Sequence, residues 1–179
     1  MNKDVERILF TEEQLKDAVR RVGAQITEDY AGKVPLIVGI LKGSCIFMSD
    51  LIREIGLQCD IDFMVAKSYG NAAVSSGNVR ILKDLDADIT GRDVIIVEDI
   101  LDTARTLSAV KKYLLQKAPA SVRICTLLDK VTAQKFGDVS ADYKCFDVEN
   151  EFVVGYGLDY AEKYRNLPYI GVLKHEIYE

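Results

Sequence analysis

A single α/β domain, built on a mostly parallel twisted sheet flanked by helices, is what the 179-residue sequence predicts. Three observations predict it. Short β-branched apolar runs, among them 34–41, 94–97 and 122–128, have the composition of strands buried on both faces. Stretches with apolar residues at helical spacing lie between them. No repeat, low-complexity tract or linker divides residues 1–179, so one core and one domain are expected. A chain of this size buries roughly 70% of its unfolded surface, enough to fold without a disulfide or metal staple.

The elements follow in order. Thr11 with Gln14 three residues on resembles a capping box, and Leu15, Ala18, Val19, Val22 and Ile26 then recur at helical spacing until Gly32, which predicts an amphipathic helix. The run 34–41 predicts a strand, Lys42-Gly43-Ser44 a turn, and Phe47, Leu51, Ile52 and Ile55 a second helix ending at Gly56. Ile61, Phe63 and Val65 alternate with Asp60, Asp62 and Met64, giving a strand that ends at Lys67. Residues 68–78 are rich in glycine and small polar groups without apolar periodicity, the composition of a mobile, lid-like loop. Residues 79–85 read as a strand and 86–91 as a polar turn. Then come a buried strand at 94–97, a helix at 106–116 carrying Leu107, Val110 and Leu114, and another buried strand at 122–128. Apolar runs at 143–148 and 152–154 precede a polar stretch at 159–166.

Composition excludes several classes of function. Lys and Arg number 23 against 28 Asp and Glu, a net charge of −5, which removes the electrostatic case for a nucleic-acid or membrane-surface binder and points to a small partner. Residues 1–7 carry no apolar stretch after a basic one, and the longest apolar run is too short to cross a bilayer, so a cytoplasmic location is expected. Cys45, Cys59, Cys125 and Cys145 contain no CxxC pair and, with His175 as the single histidine, offer no zinc ligand set. The cysteines are expected to be reduced and mostly buried, Cys45 among them as a packed small hydrophobe, and His175 to lie at the surface. One histidine also argues against a Ser-His-Asp triad.

In an open parallel sheet ligands bind beyond the carboxyl ends of the strands, which directs attention to the loops after Leu41, Val97, Leu128 and Val154. After Val97 come Glu98-Asp99-Ile100-Leu101-Asp102-Thr103-Ala104-Arg105-Thr106, then a helix. Hydroxyls and small residues at a helix start make a phosphate cradle, because first-turn amides and the positive end of the helix dipole face the anion. Adjacent Glu98 and Asp99 repel phosphate and suit either a cation or a sugar diol. A ribose phosphate meets both halves. No GxxxxGK[ST] occurs, and Gly155-Tyr156-Gly157 lacks the third glycine of a dinucleotide loop, so the phosphate is held another way. Singly, these features have ordinary structural readings: acids as helix caps, Lys130 as a solvated strand end, Phe152-Val153-Val154 as core. Three acids in five residues directly after a buried strand are harder to explain so.

The run VIIVEDILDTARTL, residues 94–107, resembles the phosphoribosyl pyrophosphate (PRPP) motif of type I phosphoribosyltransferases: a hydrophobic strand, two acids, then a D-T-G-x-T-type loop. Leu41-Lys42-Gly43-Ser44, Lys67-Ser68-Tyr69-Gly70, Leu127-Leu128-Asp129-Lys130 and residues 152–160 match, in order, motifs of the hypoxanthine-guanine phosphoribosyltransferases. The chain departs from that family at Ala104, where glycine is usual; alanine keeps the amide donor but loses conformational freedom.

The resemblance implies a type I phosphoribosyltransferase-like fold with a small hood and a mobile loop that includes Ser68 and Tyr69. It implies purine salvage: magnesium-dependent transfer of the phosphoribosyl group from PRPP to N9 of hypoxanthine or guanine, giving IMP or GMP and pyrophosphate. By the same resemblance Asp102, Thr103, Ala104, Arg105 and Thr106 cradle the 5′-phosphate. Glu98 and Asp99 hold the ribose hydroxyls directly or through magnesium, and Asp159 binds a second magnesium beside the base. Lys42, Gly43 and Arg165 grip pyrophosphate. Phe152 stacks on the purine, the Val153 backbone reads its edge, Lys130 donates to O6, and Asp102 is the base near N7. A cis Leu41-Lys42 peptide and assembly as a homodimer or homotetramer belong to the same expectation. Two other readings stand beside it: an enzyme preferring xanthine, and a PRPP-fold regulator that binds nucleic acid, against which the net acidity and Asp102 both count.

Overall fold

The computed structural model describes residues 2–68, 79–133, 135 and 139–178. The chain enters through β1 (Val5–Phe10) and α1 (Glu12–Asp29), then forms β2 (Leu36–Ile40), α2 (Cys45–Glu54), β3 (Asp60–Ser68) and β4 (Val79–Lys83). β5 (Asp93–Leu101), α3 (Arg105–Leu115), β6 (Ser121–Lys130) and β7 (Tyr143–Val148) follow, and β8 (Val153–Val154), β9 (Ile170–Leu173) and α4 (His175–Tyr178) close it. The predicted capping box is present: the Gln14 amide donates to the Thr11 hydroxyl at 3.3 Å, and the Thr11 amide donates to the Gln14 side chain at 2.9 Å. Leu15, Val19, Val22 and Ile26 form the buried stripe that this start sets in register.

The main sheet has the order β4-β3-β2-β5-β6-β7, parallel except for the antiparallel edge strand β4. β2 is buried along its whole length, as a central parallel strand must be. The two-residue period of the strands sends alternate side chains into two cores. Ile37, Ile95, Val97 and Leu127 pack under α1 and α2, while Leu36, Val38, Ile40, Val94, Ile96 and Ile124 pack with Leu107, Val110 and Leu114 of α3. β1, β9 and β8 form a separate three-stranded antiparallel sheet, the hood, in which β9 is the middle strand. No helix among the described residues is long and apolar enough to cross a membrane.

Several readings are corrected. β1 and β9 were not anticipated: β1 has a single fully buried residue, Val5, amid Glu6 and Arg7, so no period shows. In β3 the alternation is inverted at its start, with Ile61 51% exposed while Asp62 and Met64 are buried. Cys45 is exposed at the start of α2 instead of packed; Cys125 and Cys145 are buried, Cys59 is half-buried, and all four are free. His175 lies at the surface, as expected.

Asp62 explains its own burial. Its carboxylate accepts the Phe63 amide at 2.7 Å, the Asp86 amide at 2.8 Å and the Ala87 amide at 3.2 Å, and Lys83 lies 3.5 Å away. Burial alone would push this carboxyl up, but the three amides and Lys83 outweigh it and hold it below its ordinary range. The turn at 84–87 is thereby tied to β3. Asp62→Ala should cost about 1–3 kcal/mol at pH 7, because three part-buried amide donors lose their acceptor. A depressed carboxyl stabilises above its unfolded pKa and ceases to as pH falls through its folded one, so the deficit, read by urea unfolding, should narrow as pH falls below the ordinary carboxylate range.

Candidate active site

The carboxyl ends of β2, β5 and β6 bring three loops together. After β2 the chain turns through a cis Leu41–Lys42 peptide, and the turn is fastened by the buried Ser44 hydroxyl, which donates to the Ile40 carbonyl at 2.7 Å. Gly43 then passes directly against Asp99: a Cβ at this position would overlap the Asp99 carboxylate. Gly157, at φ +105°, closes on the same point from the hood side, where its own Cβ would overlap the Gly43 carbonyl. Arg165 braces that contact by donating to the Gly157 carbonyl at 2.7 Å. Glycine at 43 and 157 is thus a packing requirement.

A cleft of about 240 Å³ opens beside this junction, lined by Leu41, Glu98, Asp99 and residues 100–107. Burial pushes the Glu98 carboxyl well above its ordinary range, and the neighbouring Asp99 carboxylate adds to it. Asp99 is raised as well, chiefly by burial, although its carboxylate accepts the Ile100 amide at 2.8 Å. The pair therefore resists double ionisation unless a cation or hydrogen-bond donors arrive. At the far end of the cleft Ala104 is the N-cap of α3 and provides no side-chain cap, so first-turn amides line the opening. Ala104 has φ +62°, the left-handed conformation that favours glycine and costs an alanine about 1 kcal/mol, partly offset by the burial of its methyl group.

A second cleft, of about 230 Å³, shares Asp99, Ile100 and Asp102 with the first and adds Lys130, Glu151, Phe152, Val153, Leu158 and Asp159. Lys130 is largely buried, with its Nζ 3.3 Å from Asp102 Oδ2 and 3.4 Å from Asn150 Oδ1. Asp159 receives Arg165 at 2.8 Å and the Glu162 amide at 2.9 Å. Glu162 in turn pairs with Lys42 at 3.1 Å and with Arg165 at 3.3 Å, bridging the two residues expected at pyrophosphate.

A model of the phosphoribosyl transferase domain matches residues 8–161. A hypoxanthine-guanine phosphoribosyltransferase of Streptococcus thermophilus is 53% identical over 178 residues, covering 99% of this chain and 98% of its own length. The chain belongs to the hypoxanthine-guanine phosphoribosyltransferase family. The hypoxanthine-guanine phosphoribosyltransferase of Streptococcus agalactiae is 51% identical over the same coverage. A crystal structure of a hypoxanthine phosphoribosyltransferase from Staphylococcus aureus matches with a TM-score of 0.95 at 48% identity, over 98% of this chain and 95% of that one.

Against that phosphoribosyltransferase family, the expected residues fall into three groups. Glu98, Asp99, Asp102, Thr103, Ala104, Arg105 and Thr106 line the first cleft; Lys130, Phe152, Val153 and Asp159 line the second; Lys42, Gly43 and Arg165 sit at the junction and around Glu162. Ser68 ends β3 opposite Val79, whereas Tyr69 and the loop at 70–78 lie outside the described residues. Glu162 and Asn150 were missed. Glu162 stands in a turn where Ala161, Glu162 and Tyr164 all take positive φ without a glycine, so composition gave no turn signal.

Glu98→Gln should raise the melting temperature of the metal-free protein at pH 8 by about 2–4 °C, the equivalent of about 1 kcal/mol. Because the folded carboxyl is raised, its stabilising contribution is full below about pH 4 and lost as pH rises. The gain from glutamine should accordingly vanish near pH 4 in a pH series of thermal melts.

Proposed function

We propose that this chain transfers the 5-phosphoribosyl group of PRPP to N9 of hypoxanthine or guanine, forming IMP or GMP and pyrophosphate in purine salvage. The observation that carries the reading is the pair of clefts sharing Asp102: one joins two carboxylates to a helix start, the other joins a lysine to an accessible aromatic ring. A ribose phosphate suits the first and a flat oxo base the second. The names of the similar proteins point to the same bases.

The roles follow from chemistry. Residues 102–106 bind the 5′-phosphate through amides and hydroxyls, and Glu98 and Asp99 bind the ribose side. Lys42, the Gly43 backbone and Arg165 receive pyrophosphate, exchanging Glu162 for the incoming anion. As the bond from the anomeric carbon to pyrophosphate breaks, that carbon becomes oxocarbenium-like and N9 closes on it. Lys130 and Asp102, 3.3 Å apart, present a donor beside an acceptor, matching O6 and the N7 proton of an oxopurine. Asp102 takes that proton while Phe152 and the Val153 backbone hold the ring.

Magnesium fits the acid pair. Two crowded carboxylates that burial pushes upward, Glu98 further by the Asp99 charge, gain from a cation between or beside them, and Asp159 offers a third carboxylate for a second ion. Among the described residues no three His, Cys, Asp or Glu side chains converge as a ligand set, so the ion would draw other ligands from water and substrate oxygens, as magnesium prefers. When bound, it neutralises charge on the departing pyrophosphate. In this reading the whole chain works as one domain, since Val153, Ile170 and Val172 of the hood share a core with Val97 and Leu127 of the sheet. It acts in the cytoplasm as a dimer or tetramer, on the strength of the family resemblance.

Asp102→Asn should lower kcat by about 10²–10⁴ while PRPP affinity stays nearly intact, since the amide keeps the shape but takes no proton. Pyrophosphate-release kinetics and calorimetry with PRPP and magnesium separate the two quantities, and wild-type turnover would remove Asp102 as the base. Adenine should be a very poor substrate, by roughly 10⁴-fold against hypoxanthine, because its amino group leaves the Lys130 ammonium without an acceptor. A nucleobase panel measures this, and comparable turnover of adenine would show that Lys130 does not read O6.

A further inference from the structure

Phe152 has a stacked aromatic partner that does not line the cleft. Its carbonyl accepts the Leu173 amide of β9 at 2.9 Å. One residue later the Lys174 amide donates to the Asp4 carbonyl at 3.0 Å, and the chain turns into α4 with the Ile177 amide on the Lys174 carbonyl at 3.0 Å. This short path lays Tyr178 flat on Phe152, with ring centroids 4.6 Å apart and planes 16° from parallel. Tyr160 meets Phe152 edge-on at 5.5 Å and 85°, and His175 meets Tyr178 edge-on at 5.0 Å and 71°. Phe152 lines the second cleft, whereas neither Tyr178 nor Tyr160 does, and Phe152 remains 37% exposed. One face of the ring is taken by Tyr178, while the residue itself lines the cleft.

We propose that Tyr178 is a positioning residue for the purine: it forms the back layer of a base–Phe152–Tyr178 stack and holds the Phe152 ring at the angle the base needs. The inference rests on the reading that Phe152 stacks on the base. A phenylalanine at the rim of an open cleft can rotate about its broad second torsion, and that freedom must be given up when a base docks. With Tyr178 stacked behind and Tyr160 set against its edge, the ring is already placed, so less entropy is lost on docking. An offset-stacked or edge-on pair also adds favourable interaction beyond the area it buries. The tyrosine hydroxyl has no part in this, so a phenylalanine should serve equally.

The test is a double-mutant cycle on the full chain, using Tyr178→Leu, Phe152→Leu and their combination, with Tyr178→Phe as the conservative control. Tyr178→Leu should raise KM for hypoxanthine by about three- to tenfold, leave KM for PRPP unchanged, and spare the melting temperature more than the base affinity. Tyr178→Phe should restore the wild-type KM. The combined variant should be little worse than Phe152→Leu alone, because Tyr178 acts through that ring. If Phe152→Leu weakens the base while Tyr178→Leu leaves KM within twofold of wild type, or if the two effects simply add, Tyr178 does not position Phe152 and the proposal is overturned. If Phe152→Leu itself leaves KM for the base unchanged, the stacking reading fails first and takes the proposal with it. Equal losses for hypoxanthine and PRPP in Tyr178→Leu would mark a general structural role and overturn it as well.

Discussion

The site depends on one crowded point where Gly43, Asp99 and Gly157 meet with no room for a Cβ at either glycine. Three segments far apart in sequence are locked there backbone against carboxylate and backbone against backbone. The contact decides where the rest can be. It holds the turn after β2 against the acid pair of β5, and it draws the Gly155–Gly157 turn back so that Arg165 reaches the Gly157 carbonyl. Arg165 then sets Asp159 and Glu162, and Glu162 reaches back to Lys42. Contacts through long side chains would leave such an arrangement loose by an ångström or more; contacts through the main chain fix it at the accuracy that group transfer requires.

The electrostatic design follows from the same closeness. The chain is net acidic, yet the site gathers Lys42, Lys130 and Arg165, and each has a carboxylate within 3.3 Å. Lys130 and Arg165, both largely buried, are thus held in defined directions, whereas the Lys42 pair lies exposed to solvent. The reverse holds at Glu98 and Asp99, where two acids crowd together with burial working against ionisation. One part of the site has its charges balanced by the protein, and the other is left for the ligand to balance.

How much of this could be read in the sequence differs from element to element for physical reasons. β2, β5 and β6 were legible because parallel strands covered on both faces carry near-continuous apolar runs, whereas the edge strand β7 showed through its buried Tyr143, Cys145 and Val148. α1 was legible because its cap and its stripe are both local signals. β1 and β9 were not: the first is mostly exposed and depends on pairing with β9, and the second is only four residues long and is held between β1 and β8. Asp62 broke the expected alternation because a buried carboxylate with three amide donors is as satisfied as a buried isoleucine. In the site, the acid-rich end of β5 and the turn after it announced themselves by composition, while Lys130 and Phe152 were found only through the family resemblance. Glu162 and Tyr178 were illegible. One sits in a left-handed turn without glycine, and the other matters through a ring whose place is set by the hood.

The hood carries a consequence for the order in which the molecule can be made. Among the described strands β1 and β8 pair with β9 and with no other, and β9 begins only at Ile170. Translation delivers β1 first, so its residues emerge more than 150 positions before the strand that will hold them. The sheet from β2 to β7 has its partners in hand by Val148 and is free to condense while synthesis continues. The wall that carries Phe152 and Val153 must wait for Leu173. On the ribosome, the cleft built on β5 and α3 can therefore take shape before the cleft that carries Phe152.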